Sequence, residues 1–262
     1  GAMPRNPLWT PTPDRVANTG MDTFRRRVAA TRPELVDSVA LHRWSIEHQG
    51  EFHEALWDFA GVIGESGSVA FDAGDGSVRG GRFFPQSHVS MAENLLAHRE
   101  GANDDAIVAI TELGDRRVYS WTQLRSEVAA LAAALAADGV QPGDRVACYM
   151  PHVAETVITF LAANAIGATF TSTSSDFGTA GVVDRFGQTT PTVLVAADGY
   201  RYGGKEFNNI DRIAEIGAQL PSVQRIVVVG VLSGNPRVTG IERAVTWNDY
   251  LEPNRGVALE FV

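Results

Sequence analysis

Cys148 is the only cysteine in the 262-residue chain, so neither an intrachain disulfide nor a cysteine-rich zinc site can form. Lysine is as scarce: of 22 basic residues 21 are arginine, and Lys205 stands alone. Positive charge is in deficit overall, with a formal net charge of −9. That balance argues against a nucleic-acid or anionic-membrane surface, because binding phosphate by charge alone needs a basic face. Any phosphate site must be local. No run of 18 apolar residues is present for a membrane span, and the N-terminus lacks the apolar stretch of a signal peptide. The expected compartment is the cytoplasm. The histidines, at His42, His48, His53, His88, His98 and His152, form no HxxxH or HxH pair, so no metal site is expected. A serine-nucleophile motif is missing too, since Gly64-Glu65-Ser66-Gly67-Ser68 has the wrong spacing and no helix pattern after it.

What is present is an ordinary core-forming composition, 44% hydrophobic and 20% charged, enough for one large domain or two modest ones. Gly1-Ala2-Met3 reads as an expression remnant over 1–3. Residues 4–100 form a lead-in with helical periodicity over 21–31, 33–49 and 52–62. Leu35, Val39 and Ile46 mark the apolar side of the second segment, and Phe52, Leu56 and Phe59 that of the third. Gly61, Gly64 and Gly67 match no dinucleotide fingerprint and read as loop. Gly74-Asp75-Gly76 and Gly80-Gly81 carry turn chemistry, a surface hairpin or an irregular crossing.

Residues 101–262 read as an α/β region with a mostly parallel sheet flanked by helices. Strands at 106–113 and 116–121 make a hairpin around Gly114-Asp115. Ser120 with Gln123 has capping-box spacing and opens a helix striped by Leu124, Val128, Leu131 and Leu135, which Gly139 closes. Strands then alternate with helices: 145–150, 168–172, 192–196 and 225–230 against 153–166, 182–188 and 207–220. Connections of this length imply right-handed crossovers and parallel pairing. The tail from Leu232 is looser, with a short helix over 247–251, and the chain reads as cut at ALEFV.

Ligands of open α/β sheets bind beyond the strands' carboxyl ends. Here those ends are Tyr149-Met150-Pro151, Ser172 to Asp176, Ala197 to Gly204, and Gly230. Gly203-Gly204 are expected just before a helix, where backbone amides can meet an anion flanked by Arg201 and Lys205. Arginine offers a planar fork or a stacking face, lysine a point charge, and together they suit a phosphate of a nucleotide-like ligand; a simple turn with solvated charges is the alternative. Ser174, Ser175 and Asp176 line a ligand channel or cap the following helix. Cys148, inside a strand, reads as a packed, inert thiol.

Several of these stretches carry a family resemblance. VYSWTQLRSEVAALAAALAADGVQPGDRVACYMP and FLAANAIGATFTSTSSDFG resemble core motifs of the adenylate-forming acyl-CoA synthetases. SSDFGTAGVVDRFGQTTP followed by DGYRYGGK is similar to the acetoacetyl-CoA synthetase subfamily, as are PLWTP, RWSIEHQGEFHEALWDF and RFFPQSHVSMAENLL in the lead-in. The resemblance implies an ATP-dependent acid-thiol ligase with acetoacetate, ATP and CoA as small-molecule partners and Mg²⁺ as cofactor. An acyl-adenylate forms with release of pyrophosphate, and the CoA thiol then displaces AMP. It also implies that Ser175, Asp176, Arg201, Gly203, Gly204 and Lys205 lie near CoA; a second family arginine falls on Gly204, with Lys205 to supply its charge. No Ser/Thr/Gly-rich phosphate loop ending in lysine occurs, nor the family's adenine motif, ribose aspartate or catalytic lysine. The expectation is therefore an N-terminal portion of the large adenylate-forming domain, inactive without the C-terminal remainder. The same chemistry on acetate or propionate, and a non-catalytic nucleotide-binding or partner-binding module, are the competing readings.

Overall fold

A computed structural model describes residues 7–97 and 101–262, so the readings of Gly1-Ala2-Met3 and His98 fall outside the described residues. The chain divides into two units, one ending at Val89 and the other Ser90–Val262.

In the first unit, short polar residues start each of three helices. Thr12, Thr19 and Asp37 accept the backbone N–H of Arg15, Asp22 and Ala40 at the heads of α1 (Pro13–Ala17), α2 (Gly20–Ala29) and α3 (Ser38–Glu47). A fourth helix, α4 (Gln49–Ala60), ends where Gly61 turns left-handed at φ 64°. Phe24, Leu35, Leu41 and Trp44 are buried, with Phe52 and Phe59 packed against them. Phe52 meets Phe24 and Trp44 edge-on, both at 5.6 Å between ring centroids. The three expected helices all occur, but Asp37 delays the second until Ser38. That shift turns its face: Leu41 and Trp44 point inward, while Val39 and Ile46 are 64% and 57% exposed. The Gly74 to Gly81 turn closes a minimal hairpin between β1 (Phe71–Asp72) and β2 (Arg82–Phe83).

The second unit begins with α5 (Met91–Leu96) and an antiparallel hairpin of β3 (Asp105–Ile110) and β4 (Arg116–Ser120). Ser120 and Gln123 form the expected capping box on α6 (Trp121–Ala137), a device whose loss costs about 1 kcal/mol. Next come β5 (Arg145–Tyr149), α7 (Ala154–Ala165), β6 (Thr169–Thr173), α8 (Thr179–Thr189), β7 (Val193–Ala197), a second hairpin β8 (Gly199–Tyr202) and β9 (Lys205–Asn208), then α9 (Ile210–Gln219) and β10 (Arg225–Val229). The three-residue β11 (Ala244–Thr246), too short to show alternation, and α10 (Trp247–Leu251) close the series.

Strands β11, β10, β7, β5 and β6 lie side by side in that order, every pair parallel. Helices cover both faces, which is why the inner strands are unbroken apolar runs. Val146, Cys148, Val193, Val195, Val227 and Val229 share one core with Leu124, Val128, Leu131 and Leu135 of α6 and Ile158 and Leu161 of α7. Their alternates Ala147, Tyr149, Leu194, Ala196, Ile226 and Val228 pack on the other side with Val182 and Phe186 of α8 and Ile213 and Ile216 of α9. Arg225, at the head of β10, ties the sheet to the end of α6, donating to both oxygens of Asp138 at 2.7 and 3.1 Å. Among the described residues no helix is long and apolar enough to cross a membrane.

Cys148 has no exposed surface, and burial pushes its thiol up to about 12. Because the thiolate is the reactive form, native protein at about pH 8 should be inert to Ellman's reagent and release one equivalent only on denaturation; fast native labelling would mean that β5 is not packed as described. The Arg225 hydrogen bond holds the Asp138 carboxyl below its ordinary value. A group depressed on folding contributes stability above its unfolded pKa of about 3.9, and loses that contribution as pH falls through the folded value. Asp138→Asn should therefore lower the melting temperature at neutral pH and flatten its fall below about pH 4, followed by circular dichroism melts.

Candidate functional site

The strand order places a topological switch between β5 and β7: the chain leaves β5 towards β6, then α8 carries it back past β5 to β7. Crevices form where consecutive connections part in this way. A cleft of about 340 Å³ lies there. Pro151, His152 and Val153 line it after β5, Tyr200 and Arg201 after β7, and Gly230 and Val231 after β10. The β3–β4 hairpin supplies Thr111, Glu112, Asp115 and Arg117. Arg117 grips both oxygens of Glu155 at 2.7 Å, and Glu155, in the first turn of α7, is 9% exposed at its side chain. That pair fixes one wall.

Asp198 fixes another. It follows β7 directly, is 3% exposed, and accepts the backbone N–H groups of Val231, Leu232 and Ser233 at 2.7, 2.9 and 3.0 Å. The loop after β10 is thereby folded over the end of β7. Gly199 and Gly230 permit this closeness: a Cβ would lie 2.2 Å from the Phe207 carbonyl at the first and 2.0 Å from that of Ser233 at the second.

The hairpin β8–β9 corrects one expectation. Gly203-Gly204 do not precede a helix; they are the two-residue turn of this hairpin, at φ 59° and 73°, and Lys205 begins β9 instead of a helix. Paired left-handed residues suit the twist of a tight hairpin, and Gly-Gly between the aromatic Tyr202 and Phe207 was the available signal. The two turn amides do bind an anion, but one of the chain's own. Gly203 N–H donates to Oε1 of Glu112 at 2.8 Å and Gly204 N–H to Oε2 at 3.2 Å. Arg201 meets Glu206 through Nε at 3.0 Å and Nη2 at 2.8 Å, and reaches the Val231 carbonyl at 3.4 Å. Lys205 is exposed beside the turn, opposite Tyr202.

Ser175 and Asp176 sit apart from the cleft's lining, beyond β6. Neither they nor Ser174 caps α8, whose N-cap is Gly178 with no side-chain bond. Ser175 is 1% exposed and its hydroxyl has no partner among the described residues, while its carbonyl accepts from the Tyr149 hydroxyl at 2.8 Å and from Asn209 Nδ2 at 3.1 Å. Arg212 donates to the same Tyr149 oxygen at 3.1 Å. Burial raises the Tyr149 phenol against this nearby cation, so it stays a neutral donor. Asp176 is exposed. Glu112 and Asn209 were missed from sequence, and Tyr149 and Asp198 were named only as parts of strand ends, because each acts on a partner 26 or more residues away. Among the described residues no group of three or more His, Cys, Asp or Glu side chains is placed to hold a metal ion.

Comparison with known proteins matches residues 96–253 to the family model described as AMP-binding enzyme. The chain is 35% identical over 250 residues to an acetoacetyl-CoA synthetase of Macaca fascicularis, covering 93% of this chain and 37% of that protein. It is 36% identical over 251 residues to an acetoacetyl-coenzyme A synthetase of Rhizobium meliloti (strain 1021), covering 94% and 37%. Among solved structures, an acetoacetyl-CoA synthetase from Streptomyces lividans superposes with a TM-score of 0.87 at 30% identity, over 98% of this chain and 40% of that one. The chain thus spans 37% of the length of these curated relatives. With the parallel sheet, its covering helices and a family model that matches well over half the residues, the chain belongs to the AMP-binding enzyme family.

Proposed function

We propose that this chain is part of an ATP-dependent acid-thiol ligase that joins acetoacetate to CoA. The observation that carries the reading is the match of 35–36% identity along more than nine-tenths of the chain to proteins named for that activity. When bound, ATP and CoA supply the chemistry, a mixed anhydride of the acid with AMP and a thiol that displaces AMP from it. The role of these residues is to bind and orient the nucleotide end of CoA. Arg201 offers a fork to phosphate, Gly203 and Gly204 offer two adjacent amides, and Lys205 adds charge at the rim. Ser175 acts through its carbonyl, which holds Tyr149 and Asn209 and so shapes the strand end that carries Asp176.

We place adenylation on the remainder of the relatives' length, and with it the chain's inactivity alone. In the relatives' terms the present residues are the N-terminal portion, beginning with a helical lead-in and continuing into the α/β part of the large domain.

ATP–pyrophosphate exchange with acetoacetate and with acetate, run on this chain and on the whole product of its gene, tests both parts. Only the longer protein should exchange, with acetoacetate preferred at least about tenfold, the scale of a small difference in a pocket. Exchange by the present chain overturns the division of labour, and preference for acetate overturns the acyl assignment. In the longer protein Arg201→Ala should raise KM for CoA about tenfold, the worth of one charge-assisted contact, with a smaller effect on pyrophosphate exchange.

A further inference from the structure

The hairpin amides that would meet an anionic ligand are already filled, and the group that fills them comes from far along the chain. A two-residue turn with both residues left-handed spends none of the N–H groups of its central residues on the ladder. In β8–β9 the flanking pairs Tyr202–Lys205 and Arg201–Glu206 close the ladder, and the Gly203 and Gly204 amides are left over. Glu112, at the tip of the β3–β4 hairpin, takes one with each carboxylate oxygen, at 2.8 and 3.2 Å and across 91 and 92 residues. A carboxylate spanning two adjacent amides is the arrangement that a phosphate group adopts on such a concavity. The guanidinium beside it is likewise answered by a carboxylate, that of Glu206. Glu112 and Arg201 line the same cleft, so the contact draws the tip of one hairpin onto the other across its mouth.

We infer that Glu112 is an internal competitor for the anion seat of the β8–β9 hairpin, a tethered carboxylate that a phosphate-bearing ligand must displace and that holds the β3–β4 tip across the cleft until it does. This rests on the reading of that hairpin as the CoA phosphate contact. Both groups need the same two N–H donors, so each excludes the other. Glu112 is exposed, and its loop tip has no buried anchor to lose on swinging away. The ligand therefore binds only the fraction of molecules whose tip is withdrawn, and its apparent affinity is reduced by that fraction. Glu206 does not substitute for Glu112, because it pairs within the hairpin and moves with it.

The test is isothermal titration of CoA, with pantetheine as the phosphate-free control, into the wild-type protein and into Glu112→Gln, Glu112→Ala and Arg201→Ala. Glu112→Gln keeps shape and an acceptor but loses the charge that strengthens such bonds. CoA should bind about tenfold more tightly to Glu112→Gln and at least as tightly to Glu112→Ala, as expected if a docked tip leaves about a tenth of molecules competent. Pantetheine affinity should not change. Equal or weaker CoA binding by both Glu112 variants overturns the inference, and no detectable binding by any protein does so as well, since removing the competitor should expose the seat. An equal gain for pantetheine also overturns it, because the effect would then not concern phosphate. The reading beneath it fails separately: CoA affinity indifferent to Arg201→Ala removes the hairpin as the phosphate contact, whatever the Glu112 variants do. Since Glu112 is exposed, unchanged melting temperatures confirm that the variants report on binding and not on folding.

Discussion

A carboxylate removed from water must be saturated with donors, and the end of the sheet is built around one that is. Asp198 terminates β7, sends its N–H to the Val229 carbonyl, accepts the Asn209 N–H at its own carbonyl, and collects three further N–H groups on its side chain. Bonds to a charged acceptor are worth about 1.5–3 kcal/mol each, and leaving a buried carboxylate without them costs more. One residue thus joins the ends of β7 and β10, the base of the β8–β9 hairpin and the start of α9. The cleft exists because these four pieces are held together, and Arg201 reaches the Val231 carbonyl because the loop carrying it is pinned.

Below that junction the sheet supplies rigidity without specificity. Its inner strands are buried on both faces, so side chains alternate between two cores, and a one-residue slip would put every side chain into the wrong core. With the sheet locked, the strand ends lie at fixed positions. Variation in chemistry is left to the connections beyond them, which is why every polar group of the cleft comes from a loop, a hairpin or a first helical turn.

The near-absence of lysine acquires a structural sense in the finished fold. Arginine's fork is used repeatedly to satisfy backbone carbonyls where the chain turns. Arg145 donates to the Thr189 and Thr190 carbonyls at 2.6 and 2.8 Å, where Thr190 is left-handed at φ 47°. Arg25 donates to the Leu35 carbonyl at 2.7 Å, and Arg243 to those of Gly217 and Val223. A point-charge ammonium cannot span two such acceptors in one plane. Other arginines face carboxylates, Glu155, Glu206 and Asp138, so much of the positive charge in an acidic chain is answered from within.

The sequence by itself determined what depends on neighbours in the chain. Alternating strands and helices, the Ser120–Gln123 cap, the Gly139 stop and the inert setting of Cys148 were legible because periodicity and capping act over one or two turns. The same motifs were sufficient for the family resemblance, and the ends of β5, β7 and β10 were placed to within one residue because the apolar run of a buried strand is a local signal. The Gly203-Gly204 hairpin was legible too, as a Gly-Gly pair between Tyr202 and Phe207, although the reading set it at a helix start. Tertiary structure alone decided the rest. That Asp37 would turn the third helix so that Trp44 and not Ile46 faced inward depended on where Phe24 and Phe52 came to lie. Above all, the pairing of Glu112 with the Gly203 and Gly204 amides joins residues about ninety positions apart, and no local pattern carries information across that distance.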